Sequence, residues 1–333
     1  MTEIDGILKA LRDAPDQAAA LATLVSVEGS SYRHPGARLL ALKDGRSLGS
    51  ISGGCLEADV LIRMRTVLET GQPAIATYNT TEENDLVWGT GMGCQGVVQV
   101  FIEQISTRRP PWTTALADNL RARTSTEISV VFGDSHHELR GTHLASELGQ
   151  HPPGAQVFHE VIMPVPSLAL FGAGDDAMPL VRIAKQMGWH VRIFDSRPSY
   201  ATRQRFPEAD EVTVASTESL DECVHLDAAC LAVVMTHRFA EDVNILRWLA
   251  ARPPAYIGML GPRKRTDRLI AELRAGGVAI EPRMMERLYS PVGLDLGAST
   301  PESIALSIVA EIQCLLSGRK PIHLRDRTAP IHG

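Results

Sequence analysis

No stretch of this chain approaches the roughly 18 consecutive apolar residues that a helix needs to cross a bilayer. The first residues, MTEIDGILKALRD, lack the basic start and unbroken apolar run of a signal peptide, so the expected location is the cytoplasm, with no membrane span. The five cysteines, Cys55, Cys94, Cys223, Cys230 and Cys314, contain no C-x-x-C pair. An odd number without that spacing indicates neither a disulfide framework nor a zinc knuckle, so any cysteine that matters acts singly. Basic charge is scarce as well. The 33 Lys and Arg stand against 39 Asp and Glu, for a formal net charge of -6, which excludes the broad positive footprint of a nucleic-acid binder and confines any anion site to a local patch. Repeats, heptads and low-complexity tracts are missing too.

What the 333 residues do have is 44% hydrophobic content, enough for two ordinary cores. The expected class is α/β, with a mixed α+β domain over 1–162 and a Rossmann-like, doubly wound parallel-sheet domain over 163–333. The first half reads as a short helix through Leu11, an apolar run from Leu21 to Val27 and a hairpin around Lys43-Asp44-Gly45. A helix follows Gly53-Gly54, with Leu56, Val60, Met64 and Val67 on one face and its end at Gly71. Strand-like runs at Ala74–Tyr78 and Val97–Ile102 bracket a second Gly-rich turn, Gly91–Gly96, and alternation from Glu127 to Phe132 predicts further strands. From Ser167 the pattern becomes strand, turn and helix, through apolar runs at Leu168–Phe171, Val191–Phe194, Leu231–Met235 and Tyr256–Ile257. A last helix is capped by Thr300, takes Pro301 in its first position and lines Ile304, Ile308, Ile312 and Leu315 along one face.

The phrase Leu168-Ala-Leu-Phe-Gly172-Ala-Gly174-Asp-Asp-Ala177 is a strand running into G-x-G-x-x-A, with Asp195 at the end of the next strand. Such glycines let a ligand phosphate approach backbone N–H groups at a helix start, and the later acid can bond a ribose hydroxyl. Asp175 and Asp176, however, put two carboxylates into the turn and repel a pyrophosphate; they serve equally as partners of the helix dipole, worth about 0.3–1 kcal/mol. Ligands of open parallel sheets sit beyond the carboxyl ends of the strands, which singles out Thr236-His237, Gly258-Met-Leu-Gly261 and Gly293-Leu-Asp295-Leu-Gly297. Arg263, Lys264 and Arg265 either meet a phosphate there or form a solvated basic face, and His237 is either a ligand contact or a hydrogen-bonded structural histidine.

Two N-terminal motifs are more distinctive. Gly29-Ser-Ser-Tyr32-Arg33-His-Pro-Gly-Ala-Arg38 offers hydroxyls and two guanidiniums, and Gly49-Ser-Ile-Ser52-Gly53-Gly54-Cys55-Leu-Glu57 places a thiol in the first turn of a helix, beside an anion cradle of backbone N–H groups. Cys94, between Gly93 and Gln95, is the second candidate thiol; a buried structural role remains open for either cysteine.

GSSYRHPGARLL, GSISGGCLE and GMGCQG are similar in order and spacing to the N-terminal signature of the XdhC/CoxI family of xanthine dehydrogenase accessory factors. LALFGAGDDAMPLVRIAKQMGWHVRIFDSRP, VVMTHRFAED, YIGMLGPRKRTDRLIAEL and SPVGLDLGASTPESIALSIVAEI resemble that family's Rossmann domain, so the resemblance spans most of 20–105 and 167–316. It implies a cytoplasmic, dimeric cofactor-insertion chaperone that carries molybdenum cofactor (molybdopterin with molybdenum) rather than turning over a substrate. Its implied partners are an apo molybdenum hydroxylase and a cysteine desulfurase that supplies sulfur. Carried over by position are Gly53, Gly54 and Cys55, Gly93 and Cys94, and Gly172, Gly174 and Asp195. Ser52, Asp175, Asp176, His237, Gly258 and Gly261 complete the expected cofactor-binding set, with Arg33 and Arg38 pairing the terminal phosphate and Cys55 and Cys94 as soft ligands near the metal. Gln95, Tyr32 and Asp175 stand where relatives usually have glycine, proline and histidine, and the last departure resembles the subset associated with CO-dehydrogenase-type enzymes. The alternative function is an NAD(P)-dependent oxidoreductase using Gly172, Gly174, Ala177 and Asp195.

Overall fold

Both faces of the strand Ala19–Gly29 (β1) are buried along most of its length, which is why its sequence reads as a near-continuous apolar run rather than an alternation. The computed structural model describes residues 3–79, 96–149, 153–227 and 229–328. In its first unit, Met1–Pro164 with Arg327–Gly333, β1 is the centre of an antiparallel sheet completed by Arg38–Leu42 (β2), Ser47–Gly49 (β3), Ala74–Asn79 (β4) and Gly96–Ile105 (β5). The order is β3-β2-β1-β5-β4. Successive side chains of β1 point to opposite faces. Ala20, Ala22 and Leu24 share a core with Val60, Met64 and Val67 of the helix Glu57–Thr70. Ala19 and Leu21 share another with Ile7 and Leu11 of the helix Glu3–Asp13, and with Trp112 and Leu116 of the helix Pro111–Ala122. A smaller antiparallel sheet, β7-β6-β8, joins Thr126–Val131 (β6) to Gly141–Leu144 (β7) and Val157–Ile162 (β8).

The second unit, Val165–Asp326, contains Ser167–Phe171 (β9), His190–Asp195 (β10), Glu211–Val214 (β11), Leu231–Val234 (β12), Tyr256–Met259 (β13) and Leu288–Tyr289 (β14). All pair in parallel in the order β11-β10-β9-β12-β13-β14, and the order reverses between β9 and β12, as in a doubly wound Rossmann-like sheet. Alternate strand residues feed two cores. Leu168, Leu170, Val191 and Val233 lie with the helices Ala177–Gln186 and Pro301–Leu316, while Ala169, Phe171, Phe194 and Val234 lie with the helices Phe239–Ala251 and Arg263–Ala275. Thr300 caps the last helix as predicted, its hydroxyl accepting from Ser303 N–H at 3.3 Å. The expected face of that helix holds for Ile308 and Ile312, with Ile304 packed partly buried against the same core, and is widened by Ala305 and Val309; Leu315 departs from it, 38% exposed. Among the described residues no helix is long and apolar enough to cross a membrane.

Candidate functional site

The turn between β3 and the helix Glu57–Thr70 is organised by one carboxylate. Glu57 reaches back so that its Oε1 accepts from Ser50 Oγ at 2.8 Å, Ser52 N–H at 2.9 Å and Ile51 N–H at 3.2 Å, while the Ser52 hydroxyl donates to Oε2. Partial burial disfavours the Glu57 charge, but the donors from Ser52 and Ser50 outweigh it and hold the carboxyl below its ordinary value. Ser52 Oγ also accepts from Leu56 N–H at 3.1 Å and Gly54 N–H at 3.2 Å. Ser52, expected to contact cofactor, is therefore buried and spent on shaping the turn. Glu57 was readable only as an acid in a helical first turn, a usual partner for orphan N–H groups.

That shaping leaves Gly53, Gly54 and Cys55 outermost and exposed. Among the described residues the N–H groups of Gly53 and Cys55 have no partner, so the expected three-membered cradle is reduced to two groups beside a free thiol. The Tyr32 ring, 65% exposed, lies 3.5 Å from where a Gly53 Cβ would stand. The helix begins at Glu57 with Leu56 as its N-cap, so Cys55 sits in the turn before the helix rather than in its first turn. Gly93 and Cys94 lie outside the described residues.

The two arginines expected to pair a phosphate are committed elsewhere. Arg38 has a side chain only 4% exposed, with Nη2 2.6 Å from Glu160 Oε2 and Nη1 donating to Gly36 O at 2.8 Å. Arg33 Nη2 lies 2.7 Å from Glu3 Oε2. Both guanidiniums tie β2 and its approach to distant elements of the same unit. The sequence hid this, because the acidic partners stand 122 and 30 residues away.

At the carboxyl edge of the parallel sheet, Gly172 donates its N–H to Phe194 O at 2.8 Å. Its φ is +121, and a Cβ there would stand 2.5 Å from Met235 O, so only glycine allows β9 and β12 to end this close together. Gly174 O accepts from Ala177 N–H at 3.2 Å as the helix opens. Asp195 is filled by the protein itself. Its Oδ1 accepts from the backbone N–H and Nε of Arg197, both at 2.9 Å, and its Oδ2 from Arg197 Nη2 and Ala173 N–H, both at 2.7 Å. Burial opposes that charge, yet the Arg197 and backbone donors hold the carboxyl below its ordinary value. Two bonds per oxygen leave little capacity for the expected ribose hydroxyl.

The two acids of the glycine turn are paired as well. Asp175 meets Arg205 at 2.7 Å, and Asp176 meets His237 Nε2 at 2.7 Å. His237 is held at φ 62, with its side chain 62% exposed. Gly258 is a packing residue inside β13, where a Cβ would stand 2.6 Å from Val292, rather than a surface contact. Gly261 does reach open space: with Leu260 and Pro262 after β13, and Pro291, Gly293 and Asp295 after β14, it lines a cavity of about 500 Å³. The basic run is split by the fold. Arg265 bonds to Asp242 at 2.7 Å, Lys264 is exposed, and Arg263 lines a second cavity, of about 480 Å³.

Comparison with known proteins places these segments within described families. The XdhC and CoxI family model matches residues 13–79, and the XdhC Rossmann domain model matches 168–312. A Bacillus subtilis protein, named as a probable subunit of xanthine dehydrogenase, is 33% identical, over 93% of this chain and 96% of its own. The Escherichia coli molybdenum cofactor insertion chaperone PaoD is 22% identical, over 88% of this chain and 82% of its own. A Bacillus halodurans crystal structure described as a xanthine dehydrogenase has a TM-score of 0.81 at 32% identity, covering 96% of this chain and 97% of its own.

Proposed function

The chain belongs to the XdhC and CoxI family, and on that premise we propose that it binds molybdenum cofactor as cargo and delivers it to an apo molybdenum hydroxylase of the xanthine dehydrogenase or CO-dehydrogenase type. The similarity to PaoD supports cofactor insertion as the task. In this reading the chain assists sulfuration of the cargo with a cysteine desulfurase as second partner, and works as a cytoplasmic homodimer.

The observation that carries the proposal is the Cys55 turn. A free, exposed thiol beside two uncommitted N–H groups fits the metal and sulfur end of the cargo, since thiolate is a soft ligand and backbone N–H groups favour anionic oxygen or sulfur. Ser52 and Glu57 orient that turn. Arg38, buried against Glu160, does not fit the phosphate end. Protein purified without oxygen from molybdate-replete cells should release a fluorescent pterin on oxidation, in clear excess over a Cys55→Ala, Cys94→Ala double variant. Equal pterin from both forms would reject the cysteine role, and pterin from neither would reject the carrier function itself.

A further inference from the structure

The cavity beyond β13 and β14 opens at the carboxyl end of the parallel sheet, to one side of the β9–β12 reversal, and its volume of about 500 Å³ suits a small molecule. Its lining residues Gly293, Leu294 and Ser307 are fixed by hydrogen bonds, some of them to groups outside the lining. Gly293 N–H and the Tyr256 hydroxyl both donate to Glu311 Oε1, at 3.0 Å and 2.5 Å, and burial pushes the Tyr256 hydroxyl far above its usual value, so that it stays a donor. The Ser307 hydroxyl bonds to Leu294 O, and Leu294 N–H donates to Ser307 O at 3.2 Å. Gly293 has φ +102, with a would-be Cβ 2.3 Å from Ser307 Oγ, so no other residue fits there. The walls are proline, glycine and aliphatic, including Leu296, which is 52% exposed.

Asp295 is the single charged residue of this lining, and it has no hydrogen bond or ion pair among the described residues. Asp175, Asp176, Asp195 and Asp242, the other aspartates of the same sheet edge, each have a basic partner. An uncommitted carboxylate at the mouth of an apolar slot repels a phosphate and accepts, through its two oxygens, a pair of adjacent N–H donors on a flat ring.

We propose that this cavity holds the 2-amino-4-oxopyrimidine edge of a pterin or a guanine, with Asp295 accepting from the 2-amino group and the neighbouring ring N–H. The proposal rests on the carrier function above and concerns the second unit by itself. It is tested on the full chain by titration with pterin, with lumazine, which carries oxygen in place of the 2-amino group, and with guanosine monophosphate. Ligand fluorescence serves the first two and calorimetry the third. Pterin should bind at least tenfold more tightly than lumazine. Asp295→Ala should lose at least tenfold for pterin and nothing for lumazine, while Glu302→Gln, which removes a nearby charge outside the lining, should change neither. Tighter binding of the nucleotide than of pterin, with the same Asp295 dependence, would support the contact and assign it to guanine. Equal affinity for pterin and lumazine, or an Asp295→Ala protein with unchanged unfolding and unchanged pterin affinity, would overturn it. Co-purified pterin retained by Asp295→Ala would overturn this pocket and leave the carrier function standing. Asp295-dependent binding of free pterin by a protein that co-purifies with none would support the pocket and count against the carrier function.

Discussion

At Glu57 one carboxylate gathers Ser50, Ile51 and Ser52 and thereby sets where Cys55 stands. Its folded pKa lies below the ordinary 4.5. The unfolded chain therefore takes up the proton more readily, and the stabilisation is complete above that ordinary value and lost as pH falls through the lower folded one. Glu57→Gln should cost about 1–2 kcal/mol at neutral pH, the scale of hydrogen bonds to a charged group discounted for partial exposure. Denaturant unfolding of the two proteins should converge as the pH is taken below that range; a gap that persists in acid would show that the Glu57 charge is not the cause. Alkylation of Cys55 at neutral pH should change rate in the same variant, because the turn loses its anchor.

The first βαβ element of the second unit has the backbone of a dinucleotide site and the side chains of something else. Gly172 permits the close approach, but Asp195 is saturated by Arg197 and Ala173, and Asp175 and Asp176 occupy the turn. To bind NAD(P)H the protein must break the Asp195–Arg197 pair or seat a pyrophosphate against two acids, and either costs free energy. Calorimetric titration with NADH should accordingly give weak binding or none. A dissociation constant in the low micromolar range, about -8 kcal/mol, would restore the oxidoreductase alternative.

For the whole molecule, a carrier must give up its cargo as well as hold it. Anaerobic mixing of pterin-loaded protein with an apo molybdenum hydroxylase, followed by size separation, should move the pterin into the hydroxylase fraction. The Cys55→Ala, Cys94→Ala protein should transfer less per mole. Loaded protein that keeps its pterin in the presence of every such acceptor would speak for storage instead of delivery.

Local periodicity and turn chemistry determined much by themselves. The helix face through Val60, Met64 and Val67 and its end at Gly71, though not its start at Glu57, the strands around Val97–Ile102 and Glu127–Phe132, the Thr300 cap and the alternation that yields a Rossmann-like sheet were legible, because each depends on residues close in the chain. The exposed Cys55 turn and the turn containing Asp295 were visible as motifs for the same reason. Two members of the parallel sheet escaped. Glu211–Val214 is an edge strand without a buried residue, and Leu288–Tyr289 is two residues long, too little pattern to read. Only the tertiary structure decided which charges are spent and which are free: Arg38 on Glu160, Arg33 on Glu3, Asp195 on Arg197, and Asp295 on nothing among the described residues. A side chain's availability depends on what folding brings within about 3 Å of it, and for Arg33 and Arg38 those partners come from far along the chain.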